Sequence, residues 1–66
     1  MKPGDLRRWT ESVPGLADIG DLMLVTGESQ ANPASPKMIS FFCNGAHERM
    51  TWQWVLLNTE ELDETW

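Results

Sequence analysis

The chain has 66 residues, with ten Asp and Glu against five Lys and Arg, a net charge of −5, and a 41% apolar content that includes four tryptophans. That length holds one domain, residues 1–66, and a chain so short buries only about 60% of the surface it exposes unfolded, so its own core is barely sufficient. The acidic balance removes the main driving term for generic nucleic-acid binding, and a lone cysteine, Cys43, rules out an internal disulfide.

Small domains lacking such a staple usually complete their burial by oligomerisation or docking. No apolar run approaches the ~20 residues that span a bilayer. The opening Met1-Lys2-Pro3-Gly4-Asp5 has no apolar stretch behind its lysine. Neither membrane insertion nor a signal peptide is therefore expected, and the lone thiol fits a reducing, intracellular setting.

In chain order, residues 2–9 (KPGDLRRW) read as a Pro3-Gly4 turn feeding a first strand. Thr10 to Asp18 is a loop whose Pro14-Gly15 pair favours a type II turn. Ile19 to Thr26 reads as a second strand, with Leu22 and Leu24 on one face and Met23 and Val25 on the other. Both faces are apolar, which predicts a strand deep inside a small barrel, with Gly20 allowing a bend. Gly27 to Pro36 is small, polar and holds two prolines, as a surface loop does.

Lys37 to Cys43 reads as a third strand. Asn44-Gly45 then marks a tight hairpin, because both central residues must reach positive φ. In Ala46 to Trp54, the fourth strand, Met50, Trp52 and Trp54 alternate with Arg49, Thr51 and Gln53, a period of two that sends the first set into the core. Val55-Leu56-Leu57 fits a one-turn helix or a short last strand. In the acidic tail Asn58 to Trp66, Asn58 and Glu61 match a capping box for a short helix, and the same residues fit an edge strand. Four to five short strands with one tight hairpin indicate an all-β fold, a small and strongly bent barrel with room for a helical turn near the C-terminus.

The segments KPGDLRRW, IGDLMLV, ISFFCNG, and MTWQW running into LLNTEELDE resemble the small SH3-like barrel proteins of tailed bacteriophages, the marine and cyanophage type with its Sm-like members. Arg7 departs from that pattern, standing where an apolar residue, often Val, is usual. The loop from Gly27 to Pro36 is longer and richer in proline than a minimal barrel needs. The resemblance implies an SH3-like or Sm-like barrel encoded by a virus and residing in the virion or in the cytoplasm of the infected bacterial host. Some such barrels are virion components at the capsid or neck, and others look like Sm-type rings, for which nucleic-acid contact is the expectation.

Catalytic and metal chemistry find little footing. Cys43 and His47, with Glu48 beside them, fall short of the three or four ligands a zinc site needs, because a strand sends neighbours to opposite faces. Ser29, Ser35 and Ser40 lack the glycine context of a nucleophile elbow. The Glu60-Glu61 and Asp63-Glu64 pairs read as a solvated acidic run. No catalytic residue, metal or cofactor is expected, and the chain does not read as an enzyme.

Trp66, behind the acidic stretch, either folds back onto the barrel or anchors in a partner. The leading expectation is a structural or assembly component of a phage particle that docks on other virion proteins or on copies of itself. Leu62, Trp66 and the acidic tail would form its docking arm. Arg7 and Arg8 would pair with acids of a neighbouring subunit or of the same chain. The alternative is a nucleic-acid-binding Sm-like ring using Arg7, Arg8, Trp9 and Arg49, with Trp9 stacking a base. A third reading is a host-directed adaptor or inhibitor.

Overall fold

The computed structural model describes residues 1–62. Strands β1 (Leu6–Trp9), β2 (Leu22–Ser29), β3 (Met38–Cys43), β4 (Ala46–Thr51) and β5 (Thr59–Glu61) form one antiparallel sheet, and helix α1 (Trp52–Asn58) lies between β4 and β5 in the chain. The sheet order is β4-β3-β2-β1-β5, so the first strand sits between the second and the last. This is a small all-β, barrel-like fold with a short helix near the C-terminus, as expected from the sequence.

Alternation builds the core. Met23 and Val25 of β2, Ile39, Phe41 and Cys43 of β3, and Trp9 of β1 point to the inner face, where Ala17 and Val55 join them. Trp9 is the centre of this cluster. It meets Phe41 edge-on at 5.9 Å between ring centroids and Trp54 edge-on at 5.5 Å, geometry that adds to the area term of burial.

Two turns form where their residue types require. Pro14-Gly15 closes a turn in which Val13 and Ala17 bridge, with Gly15 at φ +80°. Asn44 and Gly45 both take positive φ, 49° and 80°, between the paired Cys43 and Ala46, as the tight hairpin demands.

Several boundaries differ from the sequence reading. β2 begins at Leu22, after Ile19, and runs on through Ser29 into the expected loop. The extension follows a bulge between Val25 and Gly27, which lets the strand keep pairing with β3 as far as Ser29↔Met38. The strand is also not buried on both faces. Leu22 is 50% exposed and Leu24 38%, because no second layer covers that side.

The larger correction concerns Trp52 and Trp54. They are not hairpin residues: β4 stops at Thr51 and both tryptophans lie on α1, half-buried against the core cluster. The Thr51 hydroxyl accepts from the Trp54 N–H at 3.2 Å and caps the helix. From there the spacing of Trp52, Val55 and Thr59 is helical, with Val55 and Thr59 buried while Gln53, Leu56 and Leu57 face outward.

Asn58 ends this helix instead of starting another, its Nδ2 donating to the Trp54 carbonyl at 2.8 Å. Of the two readings for residues 58–66, the edge strand is the one formed, over Thr59–Glu61. Trp66, together with Asp63, Glu64 and Thr65, lies outside the described residues.

Candidate docking face

The inner face of the sheet is filled; the outer face is where side chains are left without cover. The register places Leu6 opposite Leu24, Leu24 opposite Phe42 and Phe42 opposite His47. Cross-strand partners share a face, so these four side chains form one row across β1, β2, β3 and β4. Leu6 is 41% exposed and Phe42 47%, and Leu22 stands beside Leu24 two residues along β2. Leu62, half-buried, follows directly on the end of β5. A contiguous apolar strip on a small domain marks an interaction surface more often than an isolated exposed leucine does.

Charge is sorted between the two faces. Arg8 and Glu60 stand opposite each other on the outer face and form an ion pair at 2.6 Å. The other strand carboxylates, Glu28, Glu48 and Glu61, stand opposite Ile39, Phe41 and Arg7, all on the alternate face. Arg49, opposite Ser40, is exposed on the outer face and has no ion-pair partner among the described residues. The outer sheet face therefore carries two guanidiniums and one carboxylate on a molecule whose net charge is −5. His47 lies on the same face, its Nε2 2.8 Å from the Thr26 hydroxyl.

Beside Arg49 the loop after β2 borders an open groove of about 370 Å³, lined by Arg49, Met38, Pro36, Ala31 and Gln30 among others. Gln30 helps to hold the loop in place by donating to the Ser35 carbonyl at 2.8 Å.

The residues singled out from sequence do not form one surface. Arg7 is buried, with Nε donating to Thr59 Oγ1 and Nη2 to the Thr59 carbonyl. Trp9 is buried at 1% exposure and has no face free to stack a base. Arg8 is exposed but paired within its own chain, and Arg49 lies three strands away on β4. Leu62 is half-buried just after β5 and outside the paired register.

Sequence reasoning missed Leu6, Leu24, Phe42 and the groove. Their signal was present in the alternation of β1 and β3, where Leu6 and Phe42 take the positions opposite to Trp9 and Phe41. Cys43 is buried in the core and His47 is solvent-side next to the hairpin. Among the described residues no three His, Cys, Asp or Glu side chains gather as a metal site would require, and no helix is long and apolar enough to cross a membrane.

Comparison with protein-family models, with curated proteins and with solved structures found no match to this chain.

Proposed function

We propose that this chain is a non-enzymatic assembly module of a phage particle, docking through its outer sheet face onto neighbouring subunits. The observation that carries the docking reading is the row Leu6–Leu24–Phe42, three large apolar side chains aligned by strand register and left open to solvent. Water contact with such a row is unfavourable by roughly 25 cal/mol per Å², and burial against a neighbour removes that cost. The particle as the setting rests on the resemblance of KPGDLRRW, ISFFCNG and the Trp-bearing segment to phage-encoded barrels.

The test is to purify the virus particles that carry the gene and measure this protein in them. A fixed copy number per particle supports the role, and its presence only in infected cells removes it. In the same particles Leu24→Asp, which places a charge in the middle of the row, is expected to reduce incorporation while leaving the thermal unfolding midpoint nearly unchanged. Full incorporation of the variant would show that the outer face is not the docking surface.

A further inference from the structure

Asn44 serves the fold twice. Its backbone takes the left-handed region at φ 49°, next to Gly45 at φ 80°. Its side chain reaches out of the hairpin, with Nδ2 donating to the Leu16 carbonyl at 3.1 Å and to Asp21 Oδ2 at 2.9 Å. We infer that Asn44 is a site of spontaneous deamidation, that its hold on Leu16 and Asp21 restrains the reaction in the folded protein, and that conversion frees the loop before β2 from the β3–β4 hairpin. This inference is independent of the docking reading.

The chemistry singles out this asparagine. Deamidation begins when the backbone nitrogen of the next residue attacks the side-chain carbonyl carbon, so the next residue governs its ease. The chain has three asparagines. Asn32 precedes Pro33, whose nitrogen has no N–H to give up. Asn58 precedes Thr59, whose branched Cβ crowds the approach. Asn44 precedes Gly45, which has no side chain to hinder it. Both residues are exposed, and no atom lies within 4 Å of where a Cβ on Gly45 would sit. Solvent therefore reaches the reacting atoms.

The reaction consumes one water and involves no change of oxidation state. The Gly45 nitrogen gives its proton to solvent and bonds to Asn44 Cγ, closing a five-membered imide. The Cγ–Nδ2 bond breaks, and Nδ2 leaves as ammonia with a proton taken from solvent. Water then opens the imide. Cleavage of the new N–Cγ bond leaves aspartate at position 44. Cleavage of the original peptide bond leaves isoaspartate, which adds a carbon to the main chain between the paired Cys43 and Ala46.

The fold opposes the first step at two points. Ring closure swings Cγ onto the Gly45 nitrogen, and Nδ2 must depart. An amide whose two hydrogens are matched by two acceptors resists both. Those acceptors are themselves anchored. Leu16 and Ala17 pack on the core, Val13 and Ala17 bridge, and Asp21 Oδ2 also accepts from the Asp18 N–H at 3.0 Å. Once the amide has become a carboxylate, the Leu16 carbonyl, Asp21 and position 44 present three acceptors and no donor between them. Two of the three are negative and repel. The contact that ties the loop to the hairpin becomes one that pushes them apart.

The experiment incubates the full chain in mildly alkaline buffer, folded and in urea, and follows position 44 by peptide mass spectrometry. Conversion is expected to be about a hundredfold slower in the folded protein, the factor set by opening two hydrogen bonds of which one is charged. Asp21→Ala is expected to speed the folded-state reaction about tenfold. Asp21→Asn, which keeps an acceptor oxygen and loses the charge, is expected to speed it less. Thr51→Ala, which loosens the fold at α1, is expected to leave the rate unchanged. Asn44→Asp stands for the product. Its amides from Leu16 to Asp21 are expected to exchange faster than those of the wild type, and Asp21→Asn in that background, which sets a donor against the new carboxylate, to slow them again.

Conversion as fast in the folded protein as in urea, or Thr51→Ala speeding it as much as Asp21→Ala and Asp21→Asn, overturns the restraint. Reaction in urea at Asn32 or Asn58 ahead of Asn44 overturns the site. Wild-type exchange from Leu16 to Asp21 in Asn44→Asp overturns the freeing of the loop.

Discussion

The guanidinium of Arg7 is held inside the fold by Thr59: Nε donates to the Thr59 hydroxyl at 2.7 Å and Nη2 to the Thr59 carbonyl at 3.2 Å. The same hydroxyl donates to the carbonyl of Val55 at 2.6 Å. One threonine thus joins β1, the end of α1 and the start of β5. It explains how a cation is tolerated at an inward position of the first strand. The desolvated donors are satisfied by a hydroxyl and a carbonyl, and Arg8 next to it serves a different purpose, pairing with Glu60 in the open.

Thr59→Val keeps the volume but leaves the buried Arg7 Nε without its acceptor. Unmet buried polar groups cost about 1–3 kcal/mol, and urea denaturation is expected to show a loss of that size. Arg7→Met, which retains the stem and removes the donors, is expected to cost less in the Thr59→Val background than in the wild type. The coupling from that double-mutant cycle is expected at roughly 0.5–2 kcal/mol. Additive losses would mean that the two side chains act independently.

Trp9 and Trp52 are expected to differ sharply when truncated. Trp9 is 1% exposed and touches Phe41 and Trp54 edge-on, so Trp9→Ala opens a cavity and costs about 3–5 kcal/mol. In a domain of this size that is most of the stability available. Trp52 is half-buried at the start of α1 and packs on the rim of the core, so Trp52→Ala is expected to cost about 1–2 kcal/mol. The Trp9 indole Nε1 is buried with no hydrogen-bond partner among the described residues. Trp9→Phe, which removes that donor, is therefore expected to cost clearly less than Trp9→Ala. Equal losses for the two alanine variants, measured by chemical denaturation, would contradict this division of the core.

The contrast between these tryptophans also shows what was legible in the chain. Asn44-Gly45 and Pro14-Gly15 could be read directly, because positive φ is a steric demand that few residue types meet. The inner positions Met23, Val25, Ile39 and Phe41 could be read as alternation. Met50-Thr51-Trp52-Gln53-Trp54 alternates just as well, yet the chain leaves the sheet after Thr51. A period of two over five residues does not exclude a helix when apolar residues continue at helical spacing beyond it. What decides is the cap at Thr51 and the burial of Val55 on the helix it starts, neither of which the alternation reveals. The outer row was hidden for a related reason. Leu6, Leu24 and Phe42 are far apart in the sequence, and only strand order and register bring them into line.

Asp21 carries a pH signature. Its carboxylate accepts from the Asp18 backbone N–H at 3.0 Å and from Asn44 Nδ2 at 2.9 Å. These bonds hold its pKa below the ordinary 3.8, the backbone bond contributing most. Because the folded pKa is depressed, the stabilisation is fully present above the ordinary value and is lost as pH falls through the folded value. Asn44→Gly keeps the positive φ of the turn and removes the side-chain donor, so the Asp21 pKa is expected to rise toward the ordinary value. Carboxyl-carbon NMR titration of the two proteins checks this. Identical titration curves would mean that Asn44 does not stabilise the charge.

The cap at Thr51 is expected to control more than its own hydrogen bond. Helix α1 has seven residues, far fewer than the roughly 12–15 that are marginal in isolation. It persists through the burial of Val55 and Thr59 and through the Thr51 hydroxyl, which satisfies one of its free N–H groups. Thr51→Ala is expected to cost about 0.5–2 kcal/mol, and Thr51→Ser to restore most of it. The loss has a direction as well as a size. Without the cap, residues 52–54 regain freedom to continue β4, a strand for which their alternation is suited, and a chain extended there delivers Thr59 too late to meet Arg7. Amide exchange is therefore expected to quicken at Trp54 and also at the β1–β5 pairs Arg8↔Glu60 and Trp9↔Thr59, while the β2–β3 core pairs Leu24↔Phe42 and Val25↔Phe41 keep their protection. Exchange that quickens at Trp54 alone would show that the cap serves the helix and nothing beyond it.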